Sequence, residues 1–305
     1  MTASNRREFL CASAAAAGAA AWNASGGAAG ASAEPSQPRP ALEIRVNHDL
    51  HTHTIWSDGA HPIPLHILEA RAFELDALAI TDHYTPGSKI HDSQEGFDGY
   101  LAEIKRERAG QEDTLVIAGA EAVALDTTGK ISLDAGHAAR LEWVLCDLGG
   151  LSEGTLRKTP ADKSQYMENV VRTYLALCDV AYLDVIAHPF NTGNTTPAAL
   201  PADYPPRLLK ELAQKMAAKG KVFDVMNDMI YWFHKTGIAP RQLTAQYVEL
   251  VKLFAAEGVV FQVSSDDHRT GVGNTRWSQI VLARAEVPAK QIVDPRQIAR
   301  RKRAS

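Results

Sequence analysis

The run Asp49-Leu50-His51-Thr52-His53, followed by Ser57-Asp58-Gly59, carries the residue types of a metal clamp. In an extended strand alternate side chains share a face, so Asp49, His51 and His53 are expected on one side and His48 on the other. Two imidazoles aimed at one point from a rigid strand suit zinc, iron or manganese, and carboxylates suit the harder cations. The same residue types recur downstream, each time after a short apolar run: Thr81-Asp82-His83, Gly119-Ala120-Glu121, His188-Pro189-Phe190-Asn191 and Ser264-Ser265-Asp266-Asp267-His268. In the last run Asp266 and His268 are expected to share a face, with Asp267 pointing away.

These runs need elements to hold them. Apolar patterning predicts strands over 42–50, 77–80, 115–118, 141–145, 183–187, 221–226 and 259–263. Amphipathic stretches predict helices over 63–73, 97–108, 165–177, 207–219 and 242–257, and the glycine-centred segment 123–133 reads as a hairpin. Strands alternating with helices at this spacing imply a parallel α/β sheet. In an open sheet, five separated strand ends would be strung along one edge. In a closed barrel they converge on one mouth, where barrel enzymes place their chemistry. Neither a GxGxxG run nor a P-loop is present, so a nucleotide cofactor lacks support, and no Gly-x-Ser-x-Gly elbow supplies a serine nucleophile.

Taken together, His51-Thr-His53 with Ser-Asp58-Gly, Ile-Thr-Asp-His83, Gly-Ala-Glu121, Ala-His188-Pro and Ser-Asp266-Asp-His268 resemble the PHP (polymerase and histidinol phosphatase) family. The resemblance runs from about 47 to 271. It implies a distorted (β/α)7 TIM-like barrel with two or three divalent metal ions (zinc, manganese or iron) at the C-terminal ends of the strands. The activity implied is metal-dependent hydrolysis of phosphate esters. Residue by residue, it implies that His51, His53, Glu121 and Asp266 hold a first metal. Glu121 would bridge to a second metal shared with His188, and Asp58, His83 and His268 would form a third site. One departure stands out: relatives with three metals usually supply a further histidine after the fourth strand, where this chain reads Gly149-Gly150. Either the second site is weak, or His137 or Asp147 compensates.

The activity expected is phosphomonoester hydrolysis of a small phosphorylated substrate by a metal-activated water. Asp58, His268 and Arg269 are the candidate catalytic residues, with Arg269 as a bidentate fork on the phosphate. Arg276, Lys89 and Tyr84 are further candidates for facing substrate, and Asp49 and Asp82 for orienting ligating imidazoles. An amidohydrolase-like metal hydrolase and a catalytically weak metal- or phosphate-binding protein are the alternatives. His61, His66, His91 and His234 read as ordinary polar residues. Asn227 and Asp228 open the loop after the sixth strand. The following Tyr231-Trp232-Phe233 reads as core packing or as the wall of a pocket for a ring-bearing substrate.

A formal charge of −4 over 305 residues gives no field for gripping a nucleic-acid backbone. Three cysteines make no disulfide framework, and Cys146 and Cys178, both in apolar segments, are expected as buried thiols. At the start, Arg6-Arg7-Glu8-Phe9-Leu10, an alanine-rich stretch and Ala31-Ser32-Ala33 have the layout of a twin-arginine (Tat) export signal over 1–33. Its apolar part, interrupted by Gly18 and Asn23, is too weak for a membrane span. A proline-bearing linker over 34–41 and a barrel domain over 42–305 follow, the whole being exported by the Tat machinery to the periplasm or beyond. The closing Arg300-Arg301-Lys302-Arg303 is expected to be a solvated end.

Overall fold

The computed structural model describes residues 46–111 and 113–298. Its frame is a set of parallel strands: β1 (His48–Asp49), β2 (Ala77–Ile80), β3 (Leu115–Val123), β4 (Trp143–Asp147), β5 (Val185–Ile186), β6 (Val222–Met226) and β7 (Val260–Ser264). Each pairs with the next in chain order. The two edges then meet. Leu50 N–H donates to Val263 O at 3.4 Å, Asp266 N–H to His51 O at 3.0 Å and His53 N–H to Asp267 O at 2.8 Å. Seven parallel strands joined this way form a distorted barrel, because right-handed helical crossovers return each strand alongside its predecessor.

The crossovers are α1 (Ile63–Ala72), α2 (Lys89–Asp92), α3 (Gln94–Glu107), α4 (Ala135–Ala138), α5 (Lys163–Leu177), α6 (Pro206–Lys219), α7 (Met229–Phe233) and α8 (Pro240–Ala256), with α9 (Arg276–Arg284) after β7. Strand pleating sorts the apolar residues into two layers. Leu78, Ile80, Val116, Ala118, Val144, Ile186, Phe223, Val225, Phe261 and Val263 join the layer under the helices. Their neighbours Ala77, Ala79, Ile117, Trp143, Leu145, Val185 and Val222 fill the barrel. Toward the mouth this inward register switches from apolar to polar, at Glu121, Asp147, Asp224 and Gln262, all buried.

Three expectations need correction. The strand predicted over 42–50 is ordered sheet at His48–Asp49 alone, and residues before 46 lie outside the described ones. β3 does not stop at Ala118 but runs on to Val123. Gly119 permits this, because a Cβ there would lie 2.6 Å from Trp143 O and 2.7 Å from the Thr81 methyl. The hairpin over 123–133 shrinks to one antiparallel bridge, Ala124 with Ile131, closed by Leu125 N–H to Lys130 O at 2.8 Å. Cys146 and Cys178 are free, buried thiols, as expected. No helix among the described residues is long and apolar enough to cross a membrane. The export leader, the linker up to Ala41 and the basic end lie outside the described residues.

Candidate metal centre

Because β1 ends at Asp49, the strict alternation expected through His53 does not hold. Beyond it the chain bridges to the loop after β7, Thr52 pairing with Asp267. Asp49 therefore does not face the imidazoles. Its carboxylate accepts from Ser265 N–H at 2.9 Å, Ser265 Oγ at 2.5 Å and Gly273 N–H at 2.8 Å, fastening the β7 loop. Asp82 likewise orients a loop instead of a ring, accepting from Thr54 N–H and Oγ, both at 2.8 Å, and from Ser57 Oγ at 2.7 Å.

The group that does orient an imidazole is Asp224 on β6, 173 residues away in sequence, whose Oδ2 lies 3.2 Å from His51 Nδ1. The same carboxylate accepts from Ser264 Oγ at 2.8 Å, Gln262 Nε2 at 3.0 Å and His188 N–H at 3.2 Å. A ring whose Nδ1–H is held by a carboxylate presents its Nε2 lone pair. At His268 a contact of 2.8 Å between Nδ1 and Asp266 O has the same effect. The sequence signal for Asp224 was available: a charged residue inside the apolar strand Val222–Met226.

The ligand-type side chains converge on Glu121. His51 Nε2 and His188 Nε2 lie 3.2 and 3.3 Å from its Oε1, while His83 Nδ1 and His53 Nε2 lie 2.7 and 3.6 Å from its Oε2. Asp266 Oδ1 stands 3.1 Å from His53 Nε2 and 3.5 Å from His51 Nε2. At the rim Asp58 Oδ1 lies 3.6 Å from His83 Nε2 and 3.5 Å from His268 Nε2. Four overlapping groups result, each with ligand atoms within 4.8 Å of one another: His51, His53 and Glu121; His51, His188 and Asp266; Glu121, Asp147 and His188; and His53, Asp58, His83 and His268.

Electrostatics show how tightly these groups are pressed together. Burial opposes charge on His51, but Glu121 and Asp266 overcome it and hold its pKa well above the ordinary value. Burial also opposes charge at His83 and His188, yet Glu121 raises them to about 10 and about 8. His53 goes the other way, to about 3, through burial and the charges of His268 and His83. Burial would raise Glu121, but His51 and His83 keep it well below the carboxylate range. Both Glu121 oxygens and His53 Nδ1 are nevertheless buried without a hydrogen bond. Buried polar atoms are seldom left so, and a cation among carboxylates and imidazoles would satisfy these oxygens.

All eight residues expected as ligands are thus gathered at one place. His188 and Asp266 hold left-handed backbone angles, φ 26° and 56°, which side chains with a Cβ adopt only at a cost. Of the two candidates to compensate for the missing histidine, Asp147 is the one that lies with Glu121 and His188. Burial and the charge of Glu121 raise its pKa to about 7. His137 is excluded, because it sits on α4 with Nδ1 2.6 Å from Asp134 and its ring on Phe97 and Tyr84. Tyr84, 5 % exposed, packs in that same cluster, its ring against Phe97, His91 and His137.

Lys89 is committed elsewhere, donating to Ile55 O at 2.7 Å and lying over the Trp56 ring. Arg269 and Arg276 are exposed, and among the described residues neither guanidinium has a hydrogen bond or ion pair. His61, His91 and His234 stay outside the cluster. His66 is fully buried with neither ring nitrogen hydrogen-bonded, its Nε2 3.9 Å from Asp267 Oδ2. The expectation for Asp267 holds, since it faces α1 and not the centre.

Comparison with known proteins follows the same lines. A family model described as PHP domain matches residues 49–264. Among solved structures, histidinol phosphate phosphatase from Lactococcus lactis subsp. lactis Il1403, complexed with zinc, L-histidinol and phosphate, superposes with a TM-score of 0.60 at 17% identity, covering 80% of this chain and 95% of that one. A chain of an archaeal ribonuclease P with mature tRNA reaches a TM-score of 0.41 at 11% identity, covering 82% of this chain and 78% of that one. An amidohydrolase from Chromobacterium violaceum reaches 0.36 at 18% identity, covering 74% and 90% respectively. The first shows the same fold, and the other two are too distant to carry an argument. A comparison with curated proteins found no match.

Proposed function

The chain belongs to the PHP domain family of metal-dependent hydrolases, and from that premise we propose that it hydrolyses phosphomonoesters of small substrates. The observation that carries this reading is Glu121, buried, without a hydrogen bond, and ringed by His51, His53, His83 and His188 at the mouth of the barrel. In this reading His51, His53, Glu121 and Asp266 hold one cation. Glu121, His188 and Asp147 hold a second, and Asp58, His83 and His268 hold a third. Divalent cations, when bound, supply Lewis acidity toward the phosphoryl oxygens and toward the attacking water.

The protein's own groups do the rest. The water oxygen bonds to phosphorus, the ester P–O bond breaks, and the leaving alkoxide takes up a proton. Asp58 stands on the open rim with a side-chain exposure of 60%, where the carboxylate oxygen turned away from the cation can hold or pass that proton, while His268 beside it, 33% exposed, keeps the rim in place through its Nδ1 contact with Asp266 O. The buried acids Glu121 and Asp224 fix the rings from below, so the site needs no rearrangement as charge develops. Arg269, exposed beside His268, is the candidate grip on the phosphate.

The donor sets also differ. The group containing Asp147 has two carboxylates and one imidazole, a set suited to manganese or another oxygen-preferring cation more than to zinc. The test is a metal analysis of the purified protein, followed by chelation and reloading ion by ion against phosphomonoesters, phosphodiesters and amides. Turnover of amides alone would replace the reading with an amidohydrolase one, and metal without turnover of any ester would leave a binding protein.

We further propose that 1–33 is a twin-arginine export signal carrying the folded domain out of the cytoplasm, on the strength of Arg6-Arg7 and Ala31-Ser32-Ala33. Replacing both arginines by lysine should retain the protein in the cytoplasm; undiminished export of that variant would refute it.

A further inference from the structure

The loop after β5, which carries His188, is fastened on every side. His188 N–H donates to Asp224 Oδ2 at 3.2 Å, Pro189 O accepts from Tyr247 Oη at 3.0 Å, and Phe190 N–H donates to Tyr174 Oη at 2.9 Å. Thr192 Oγ1 donates to Ala199 O at 2.8 Å, and Ala199 N–H returns a bond to Thr192 O at 3.0 Å. Gly193 lets α7 close over the loop, since a Cβ there would lie 2.4 Å from the Phe233 ring. Of the three consecutive aromatics on α7, Phe233 is 1% exposed and Tyr231 59% exposed. Trp232, half-buried between them, lies over the His188 imidazole with centroids 5.9 Å apart and planes inclined by 29°. Main chain and stacking thus fix the ring itself. What remains to be set is which of its nitrogens carries the hydrogen.

His188 Nε2 points at Glu121 Oε1, and its Nδ1 meets the side-chain amide of Asn191, with Nδ2 at 3.2 Å. Asn191 is 1% exposed, and its Nδ2 also reaches Leu148 O at 3.4 Å. Its Oδ1 is buried without a hydrogen bond, a condition in which polar atoms are seldom left. An amide and an imidazole can meet in two ways. With Nδ2 donating to Nδ1, the ring hydrogen sits on Nε2, where it faces Glu121 and blocks ligation. With the amide given a half-turn about Cβ–Cγ, Oδ1 accepts from Nδ1–H and Nε2 presents its lone pair. The half-turn satisfies the orphaned oxygen and costs only the long contact to Leu148 O. It asks no movement of the loop, because the two ends of an amide are nearly the same size. It also gives His188 the arrangement found at His51 and His268, whose Nδ1 atoms face oxygens of Asp224 and Asp266.

We propose that Asn191 is a positioning residue for the second cation: its amide oxygen holds the hydrogen of His188 on Nδ1, leaving Nε2 free to ligate. This rests on the assignment of Glu121, His188 and Asp147 to that cation above. The test labels the histidines of the full chain with 15N and loads the metal-free protein with 113Cd. Each bound ion gives its own resonance, and the one coupled to His188 marks the second cation. Displacement by a competing chelator then reads each affinity separately. Asn191→Leu keeps the size of the side chain and removes both hydrogen-bonding ends. It should weaken the ion at His188 by about 10- to 100-fold and leave the ion at His51 and His53 within about threefold. Asn191→Asp keeps an oxygen for Nδ1–H and should hold the ion at His188 within about threefold of the wild type.

Wild-type affinity in Asn191→Leu, or equal weakening of both ions, overturns the inference, the second outcome because packing alone would move the two together. A loss in Asn191→Asp as large as in Asn191→Leu does the same. The loaded wild type gives a reading that depends on no variant. Its His188 Nδ1 proton should lie downfield, as an imidazole proton held by an oxygen does, and an unshifted proton would overturn the role of Asn191. Cadmium bound without any coupling to His188 would instead overturn the assignment of the second cation.

Discussion

At the scale of single residues, charge is concentrated on Glu121, Asp147 and Asp224. Glu121→Gln keeps the shape and removes the charge that all four surrounding rings face. Metal content should fall by at least one ion per chain, with activity reduced by about 100-fold or more, checked by elemental analysis beside an ester assay. Asp147 offers a prediction in pH. Its folded pKa, raised to about 7 by burial and by Glu121, exceeds the ordinary carboxylate value of 3.8. A raised carboxyl adds stability below its unfolded pKa and loses it as pH climbs through the folded value. In metal-free protein, Asp147→Asn should therefore raise the melting temperature more at pH 8.5 than at pH 5, while weakening manganese binding in calorimetric titration. Equal shifts at both pH values would show that the buried charge is not what the carboxyl contributes. Asp224→Asn leaves every proposed ligand in place but loosens His51 and the loop at His188. A loss of about 10- to 100-fold in metal affinity is expected, read by competition with a chromogenic chelator.

At the scale of elements, the loops after the strands matter more than the strands. The loop carrying Asp58 folds back on the chain so closely that a Cβ at Gly59 would lie 2.2 Å from His53 O and 2.7 Å from Thr54 Cα. Backbone cannot give way as a side chain can, so Gly59→Ala should displace Asp58 and cost about 1–3 kcal/mol, measured by urea unfolding. An unchanged midpoint would show that the loop has more slack than its contacts imply. This level was the least legible from sequence. Long apolar runs such as Val222–Met226 announce themselves, but α2, α4 and α7, of four or five residues each, have no room for a helical period. The continuation of β3 past Gly119 was hidden for another reason. The glycine reads as a break until the neighbouring strand that needs its missing side chain is in place.

At the scale of the whole molecule, the barrel closes through main-chain bonds between the loops that hold His51, His53 and Asp266. Cations at the mouth should therefore stabilise the closure as well as serve catalysis. With metal at about 100 times its Kd, linkage supplies about 2.7 kcal/mol, so chelation should lower the melting temperature by roughly 5–10 °C. A thermal scan with and without chelator checks this, and coincident transitions would mean that closure does not depend on the ions.

The identity and order of the eight clustered side chains, and the parallel barrel that brings strand ends together, could be read from the chain alone. Pleating, helical period and placement after apolar runs are local properties that residue types declare. Only the tertiary structure decided that Asp224 and not Asp49 holds His51, that Asp147 and not His137 stands by Glu121, and that Trp232 faces His188. Those pairings depend on the register between strands far apart in sequence, and on where a strand stops pleating. No local pattern of residues encodes either.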